Sequence, residues 1–351
     1  MSTISSNTKK DIRQLNLEEI KSWCESVGEK SFRAKQLHEW LWQKTAHSFD
    51  EMTNLSKDFR ILLNEAFIIN PVTFDEVQKS NDGTIKSRFK LFDDHLIEGV
   101  LIPSPAKDRM TACISSQVGC SLTCKFCATG QMKRMRNLTA AEIVDQVVMI
   151  NEQAEKNYNM QLSNIVYMGM GEPLLNYKNV LKSVELLTSP TGRNISPRRL
   201  TISTAGIAKA IRRLADDEVK FNLALSLHAA DDEKRSKIMP INEQNSLEAL
   251  GEALQYFYEK TNRMIYFEYI LFKNFNDTEK DAHQLADFCK LVPCKVNIIE
   301  YNTVAGTGLE KATEEKLMRF QEVLLSRKVR VTFRRSRGKD IDAACGQLAN
   351  K

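Results

Sequence analysis

The chain has 351 residues, 42% of them hydrophobic, and a formal net charge of +5. That length allows one large α/β core plus an accessory domain, and the composition excludes a disordered, repetitive or collagenous chain. Eight cysteines in a chain this long make no disulfide framework, no apolar run approaches membrane-spanning length, and Met1 to Lys10 carries neither a signal core nor a transit pattern. The expectation is a cytoplasmic protein whose cysteines serve metal or redox chemistry.

From Leu17 to Phe67 apolar residues recur at helical spacing, as Ile20, Trp23 and Cys24, then Leu37, Trp40 and Leu41, then Leu62, Leu63 and Phe67. They predict a small helical domain over residues 1–70. Extended segments follow at Val72 to Val77, at Thr84 to Phe92 behind an Asn81-Asp82-Gly83 turn, and at Leu96 to Ile102. These predict short antiparallel strands over 71–105, a sheet joining two domains. In the third of them a two-residue period puts Glu98 on the face of Leu96, Val100 and Ile102, a carboxylate among apolar groups and so a candidate base. An edge strand with that face in water is the alternative.

From about Thr111 short apolar runs alternate with helical stretches, the pattern of β-α units winding a parallel barrel or sheet. The predicted strands are Thr111 to Ser115, Asn164 to Met168, Arg199 to Ser203, Phe221 to Leu227, Ile265 to Leu271 and Lys295 to Glu300. The helices between and after them are Ala140 to Gln153, Tyr177 to Leu187, Ile207 to Ala215, Leu247 to Glu259, Glu279 to Lys290 and Glu314 to Leu325. This unit spans 106–340, and a tail, 341–351, follows it.

The loop after the first of those strands holds Cys120, Cys124 and Cys127, three cysteines within eight residues. Three thiolates leave one position of an iron-sulfur cube open for a reacting ligand, whereas four would close the site. A zinc knuckle borrowing a fourth ligand is the rival, although structural zinc favours paired Cys-x-x-Cys units. Polar candidates sit at equivalent strand ends: Gly169, Gly171 and Glu172, Ser203 and Thr204, Ser226 and His228, and Asn302. In a barrel these converge on one mouth, although each alone is as readily a turn residue or a satisfied core group. Ser326 to Asp340 carries seven cations against one acid, and Lys133, Arg134 and Arg136 follow the cysteines, which suits a polyanion partner or a solvated face.

Ser115 to Cys120, Gly169 to Asn176, Ser226 to Ala229, Met239 to Asn242 and Asp340 to Leu348 together carry a resemblance that runs from about Gly28 to Asn350. The chain resembles the radical S-adenosylmethionine (SAM) RNA methyltransferases. Within them it is similar to the bacterial dual-specificity enzymes that methylate carbon 2 of an adenine in 23S ribosomal RNA, at the peptidyl-transferase centre, and in tRNAs, next to the anticodon. The resemblance implies an α/β fold, a partial (β/α)6 radical SAM barrel with an N-terminal helical RNA-binding domain and a small β linker.

It also implies one [4Fe-4S] cluster per chain on Cys120, Cys124 and Cys127, with SAM at the open iron and against Gly171, Glu172, Ser203, Ser226, Leu227, His228 and Asn302. Cys345 then matches the cysteine that is itself methylated, Cys113 its redox partner and Glu98 the proton acceptor. An electron donor such as flavodoxin, a monomer and no membrane partner are implied likewise. Cys24, Cys289 and Cys294 match none of these positions and read as structural thiols. The near relative that methylates carbon 8 and confers antibiotic resistance shares the cysteines, but the Gly171 to Asn176 and Gly28 to Gln36 segments look like the carbon 2 enzymes. A zinc-stabilised RNA-binding module without catalysis is the alternative from another class. Gly338 and Gly346 punctuate the tail and predict flexibility there.

Overall fold

The computed structural model describes residues 9–350. Three helices come first: α1 (Leu17–Ser26), α2 (Phe32–Trp42) and α3 (Lys57–Ala66). Asn16 and Glu19 form a capping box at the start of α1, and the Ser56 hydroxyl caps α3. Their apolar faces meet through Ile20, Leu37, Leu41, Phe59 and Leu63, all buried. Trp23 stacks on Phe59 and meets Phe67 edge-on. Trp42 is buried in this core, while Trp40 is half-buried, donates to Asn54 Oδ1 at 2.5 Å and lies under Lys44. Both tryptophans therefore have partners within the protein.

Ten strands make one sheet and lie in it in chain order: β1 (Thr73–Lys79), β2 (Ile85–Lys90), β3 (Leu96–Ser104), β4 (Arg109–Cys113), β5 (Asn164–Tyr167), β6 (Leu200–Thr204), β7 (Asn222–Ser226), β8 (Ile265–Ile270), β9 (Cys294–Ile299) and β10 (Val331–Arg334). β1 to β4 pair antiparallel, and β4 to β10 pair parallel. Helices α4 (Ala140–Tyr158), α5 (Tyr177–Thr188), α6 (Ala208–Asp216), α7 (Asp232–Ile238), α8 (Leu247–Thr261), α9 (Glu279–Phe288) and α10 (Glu314–Ser326) fill the connections. Among the described residues no helix is long and apolar enough to cross a membrane.

Two differences from the sequence reading matter. The strands of residues 73–104 do not form a sheet of their own: β3 pairs with β4, with Val100 opposite Cys113, so the hairpin extends the parallel sheet and delivers Glu98 beside the cysteine loop. β10 is a seventh parallel strand beyond the six expected. Its Val-Thr-Phe core is short and hidden among arginines, where charge masks the alternation that marks a strand.

The helical domain is pinned to the barrel by a buried ionic cluster. Arg13 reaches both oxygens of Asp145 on α4, at 3.0 and 2.9 Å, and Oδ2 of Asp11 at 3.1 Å. Asp11 and Asp145 in turn accept the amides of Asn70 and Val72 at the domain junction. Arg13→Leu leaves two buried carboxylates unpaired, so the urea midpoint should fall by the equivalent of about 3–5 kcal/mol. An unchanged midpoint would show that the cluster is not what pins the domain.

Candidate active site

A cavity of about 160 Å³ opens at the carboxyl ends of the parallel strands. Its wall includes Cys120, Cys124, Cys127, Gly169, Gly171, Glu172, Ser203, Ser226, His228, Glu268 and Cys345. The cysteine loop reaches it because Gln117 and Val118 pair with Asn137 and Arg136, closing the loop at its base. Gly119, at φ 71°, lets the loop return: a Cβ there would sit 2.2 Å from the Lys133 carbonyl.

Burial pushes the thiols of Cys120, Cys124 and Cys127 up, Cys120 to about 11, and neighbouring thiols add to the rise at Cys120 and Cys124. Such a group calls for cationic partners that hold it as thiolates. An iron-sulfur cube, with each thiolate on its own iron, fits the donor set and leaves one iron free.

Of the residues expected to hold SAM, five of those named line the cavity and two do not. Gly171, at φ 95°, packs so closely on Gln117 that a Cβ would lie 2.5 Å from the glutamine Cβ. Glu172 is fully buried; its oxygens accept the amides of Leu174 at 3.0 Å and Ala205 at 2.8 Å, and burial pushes its carboxyl up. Ser203 and Ser226 face each other with their hydroxyls 3.5 Å apart. His228, at φ 53°, accepts the Ile270 amide on Nδ1 at 3.1 Å, which leaves Nε2 as the donor. Burial, with Arg235 nearby, lowers its pKa to about 3, so the ring is neutral at physiological pH. Leu227 and Asn302 lie outside the lining; Leu227 is wholly buried, and Asn302 donates to the Cys345 carbonyl at 3.3 Å.

The tail is tied down at several points rather than loose. Ala128 N–H donates to Gly346 O at 2.7 Å, and the Thr129 hydroxyl to Leu348 O at 2.6 Å. Oε2 of Glu98 accepts the amides of Ala349 and Asn350 at 2.8 and 3.1 Å. Glycines supply the turns, with Gly338 at φ 65° and Gly346 at φ 84°, so here they shape the tail rather than free it. Cys345 is exposed, but toward the cavity it lines; burial, with Glu268 nearby, pushes its thiol up. Cys113 is buried on β4, and its thiol is pushed up by burial and by Cys345. Neither Cys113 nor Glu98 lines the cavity, and the Glu98 carboxylate is taken by the tail amides. Cys24 is buried in α1, and Cys294 Sγ lies 3.5 Å from the Cys289 carbonyl, as structural thiols would.

Three residues of this region carry no signal that the sequence reading used. Arg235 is fully buried and donates to the carbonyls of Leu227, Ala205 and Ser226, bracing the ends of β6 and β7. Glu268 is buried, takes the Asn297 amide on Oε1 at 2.8 Å and has no hydrogen-bond partner for Oε2. Lys86 is buried 3.4 Å from Glu98 Oε1. A lone carboxylate in Ile265-Tyr-Phe-Glu-Tyr-Ile270 could have drawn the argument made for Glu98, whereas nothing local marks Arg235 or Lys86.

Two family models match: residues 10–69 match the ribosomal RNA large subunit methyltransferase N-terminal domain, and residues 114–286 match the radical SAM superfamily. A protein of Cytophaga hutchinsonii named "Probable dual-specificity RNA methyltransferase RlmN" is 58% identical over 100% of this chain and 96% of its own. The "Dual-specificity RNA methyltransferase RlmN 2" of Myxococcus xanthus is 44% identical over 97% of this chain and 91% of its own. The crystal structure of a radical SAM methyltransferase from Sphaerobacter thermophilus superposes with a TM-score of 0.91 at 38% identity, covering 97% of this chain and 100% of that one.

Glu300 clamps the root of the tail, bonding Lys311 at 2.6 Å, Lys339 at 2.8 Å and the Ser336 amide at 3.1 Å. Burial alone would raise its carboxyl, but the two ammonium groups and the amide outweigh burial and hold it at about 2, below the ordinary 4.5. A lowered folded value means that the clamp is complete above pH 4.5 and is lost only as pH falls through about 2. Tryptic protection of Arg334 to Cys345 should therefore be flat from about pH 6 to 8 in the wild type and lost in Glu300→Gln; a variant as protected as wild type would refute the clamp.

Proposed function

The chain belongs to the dual-specificity RlmN RNA methyltransferases of the radical SAM superfamily, and from this we propose that it methylates carbon 2 of a specific adenine in 23S ribosomal RNA and in tRNAs. As a radical SAM RNA methyltransferase it uses SAM and an iron-sulfur cluster. We take the cluster to be [4Fe-4S] on Cys120, Cys124 and Cys127, reduced by a small electron carrier such as flavodoxin.

Carbon 2 of adenine lies between two ring nitrogens and is too electron-poor to attack the methyl group of SAM. The methyl is carried instead by Cys345. Its sulfur displaces the methyl from one SAM, losing its thiol proton and leaving S-adenosylhomocysteine. A cluster held by Cys120, Cys124 and Cys127, with a second SAM bound, would supply the one-electron chemistry that removes a hydrogen atom from the S-methyl group. The carbon so formed adds to the ring and ties the RNA to the protein through Cys345.

Release falls to residues of this chain. Glu98 takes the hydrogen of ring carbon 2 as a proton, and the surplus electron returns to the reducing chain. Cys113 attacks Cys345 and breaks the carbon-sulfur bond; the sulfurs become a disulfide, and the electron pair stays with the methylated base, which gains a proton. The observation that carries this reading is that Cys345, on the tail, lines the same cavity as Cys120, Cys124 and Cys127. Because the tail amides occupy Glu98, the described conformation suits methyl loading, and the tail must shift before a base can meet Glu98.

Anaerobically prepared protein, incubated with SAM, a reductant and unmodified RNA, should yield 2-methyladenine on mass-spectrometric mapping. Cys345→Ala should abolish product, and Cys113→Ala should accumulate a covalent RNA-protein adduct. Product at carbon 8, or full activity in Cys345→Ala, would contradict the proposal.

A further inference from the structure

The two carboxylate oxygens of Glu98 have different surroundings. Oε2 is committed to the amides of Ala349 and Asn350. Oε1 is buried and accepts no hydrogen bond, and Nζ of Lys86 stands 3.4 Å from it. Both side chains are almost wholly enclosed, 4% and 0% exposed. Among the described residues Glu98 is the one carboxylate within ion-pair range of Lys86.

The strand register shows that this pairing is not the default. Arg88 is the residue directly opposite Glu98 across β2 and β3. It turns outward instead, to Asp75 at 2.5 Å and Glu76 at 2.9 Å on the sheet's edge. Lys86, two residues earlier and so on the same face, is opposite Val100 and reaches Glu98 on the diagonal. An ammonium withdrawn from water into a sheet is costly, and no capping or domain contact uses it. What it does have is the one oxygen of Glu98 that the tail leaves free.

We propose that Lys86 is a positioning residue for the proton acceptor: by holding Oε1 it aims Oε2 of Glu98, the oxygen that the tail covers, at the methylated base and balances the carboxylate's charge, and it takes no part in loading Cys345. The inference rests on the roles of Glu98 and Cys345 given above. In the release step the ring proton passes to Oε2, once the tail amides have left it, and its electron pair stays in the ring, while Lys86 neither gains nor loses a proton. Removing Lys86 therefore separates the two halves of the reaction.

The test uses cluster-loaded, full-length Lys86→Met, Lys86→Arg, Glu98→Gln and Lys86→Met/Glu98→Gln. With SAM and no reductant, peptide mass spectrometry should find one methyl group on Cys345 in Lys86→Met at the wild-type rate. With reductant and RNA, release of methylated RNA should slow by about ten- to a hundredfold, as when an orienting partner is lost elsewhere, and the RNA-protein adduct should accumulate. Lys86→Arg should restore most of the release. The double variant, which leaves no unpaired charge in the sheet, should release no more slowly than Glu98→Gln alone. Release at the wild-type rate in Lys86→Met, or loading that falls in step with release, would overturn the inference. A wild-type protein that never takes a methyl group on Cys345 would overturn the proposed function, and this inference with it.

Discussion

Oε2 of Glu98 accepts the amides of Ala349 and Asn350 and so ties the end of the tail that carries Cys345 to the sheet. A short tail with few apolar residues cannot hold itself against a barrel mouth by burial alone. It is held by charge-assisted bonds to a carboxylate that the sheet has already desolvated, which makes each bond stronger than it would be in water. The Ala128 to Gly346 and Thr129 to Leu348 bonds then fix the tail against the cysteine loop itself. Cys345, Glu98 and the three-cysteine loop are thus joined through the tail's backbone, although they lie far apart in the chain.

The same economy appears in the buried charges around the cavity. Arg235 spends its donors on strand-end carbonyls, and burial lowers its pKa to about 10. Glu268 is oriented by Asn297, which in turn accepts the Thr332 hydroxyl, and these three residues are in register across β8, β9 and β10. Such groups cost stability when placed in a sheet. What they do is fix the ends of the strands that line the cavity.

Much of this was legible in the sequence. The cysteine spacing marked three thiols for one site, and they do line one cavity, while the alternation of apolar runs and helices announced parallel β-α units, because both signals are local. Glu98 was legible as a carboxylate in an apolar strand. Its partners were not, since Lys86 and the Asn350 amide meet it only through strand register and chain return. The seventh strand was hidden by arginines, and the hairpin was read as a separate linker because pairing between β3 and β4 leaves no mark on either strand alone. Tail glycines suggested mobility, but positive φ serves a fixed turn as well as a loose one.

A methyl group that reaches RNA through the sulfur of Cys345 loses a hydrogen atom on the way. Turnover with SAM whose methyl group is fully deuterated reads this out. The new methyl group on adenine should keep two of the three deuterium atoms and take its third hydrogen from elsewhere. A methyl group that arrives with all three would have moved intact from SAM to the ring, and would contradict a route through Cys345.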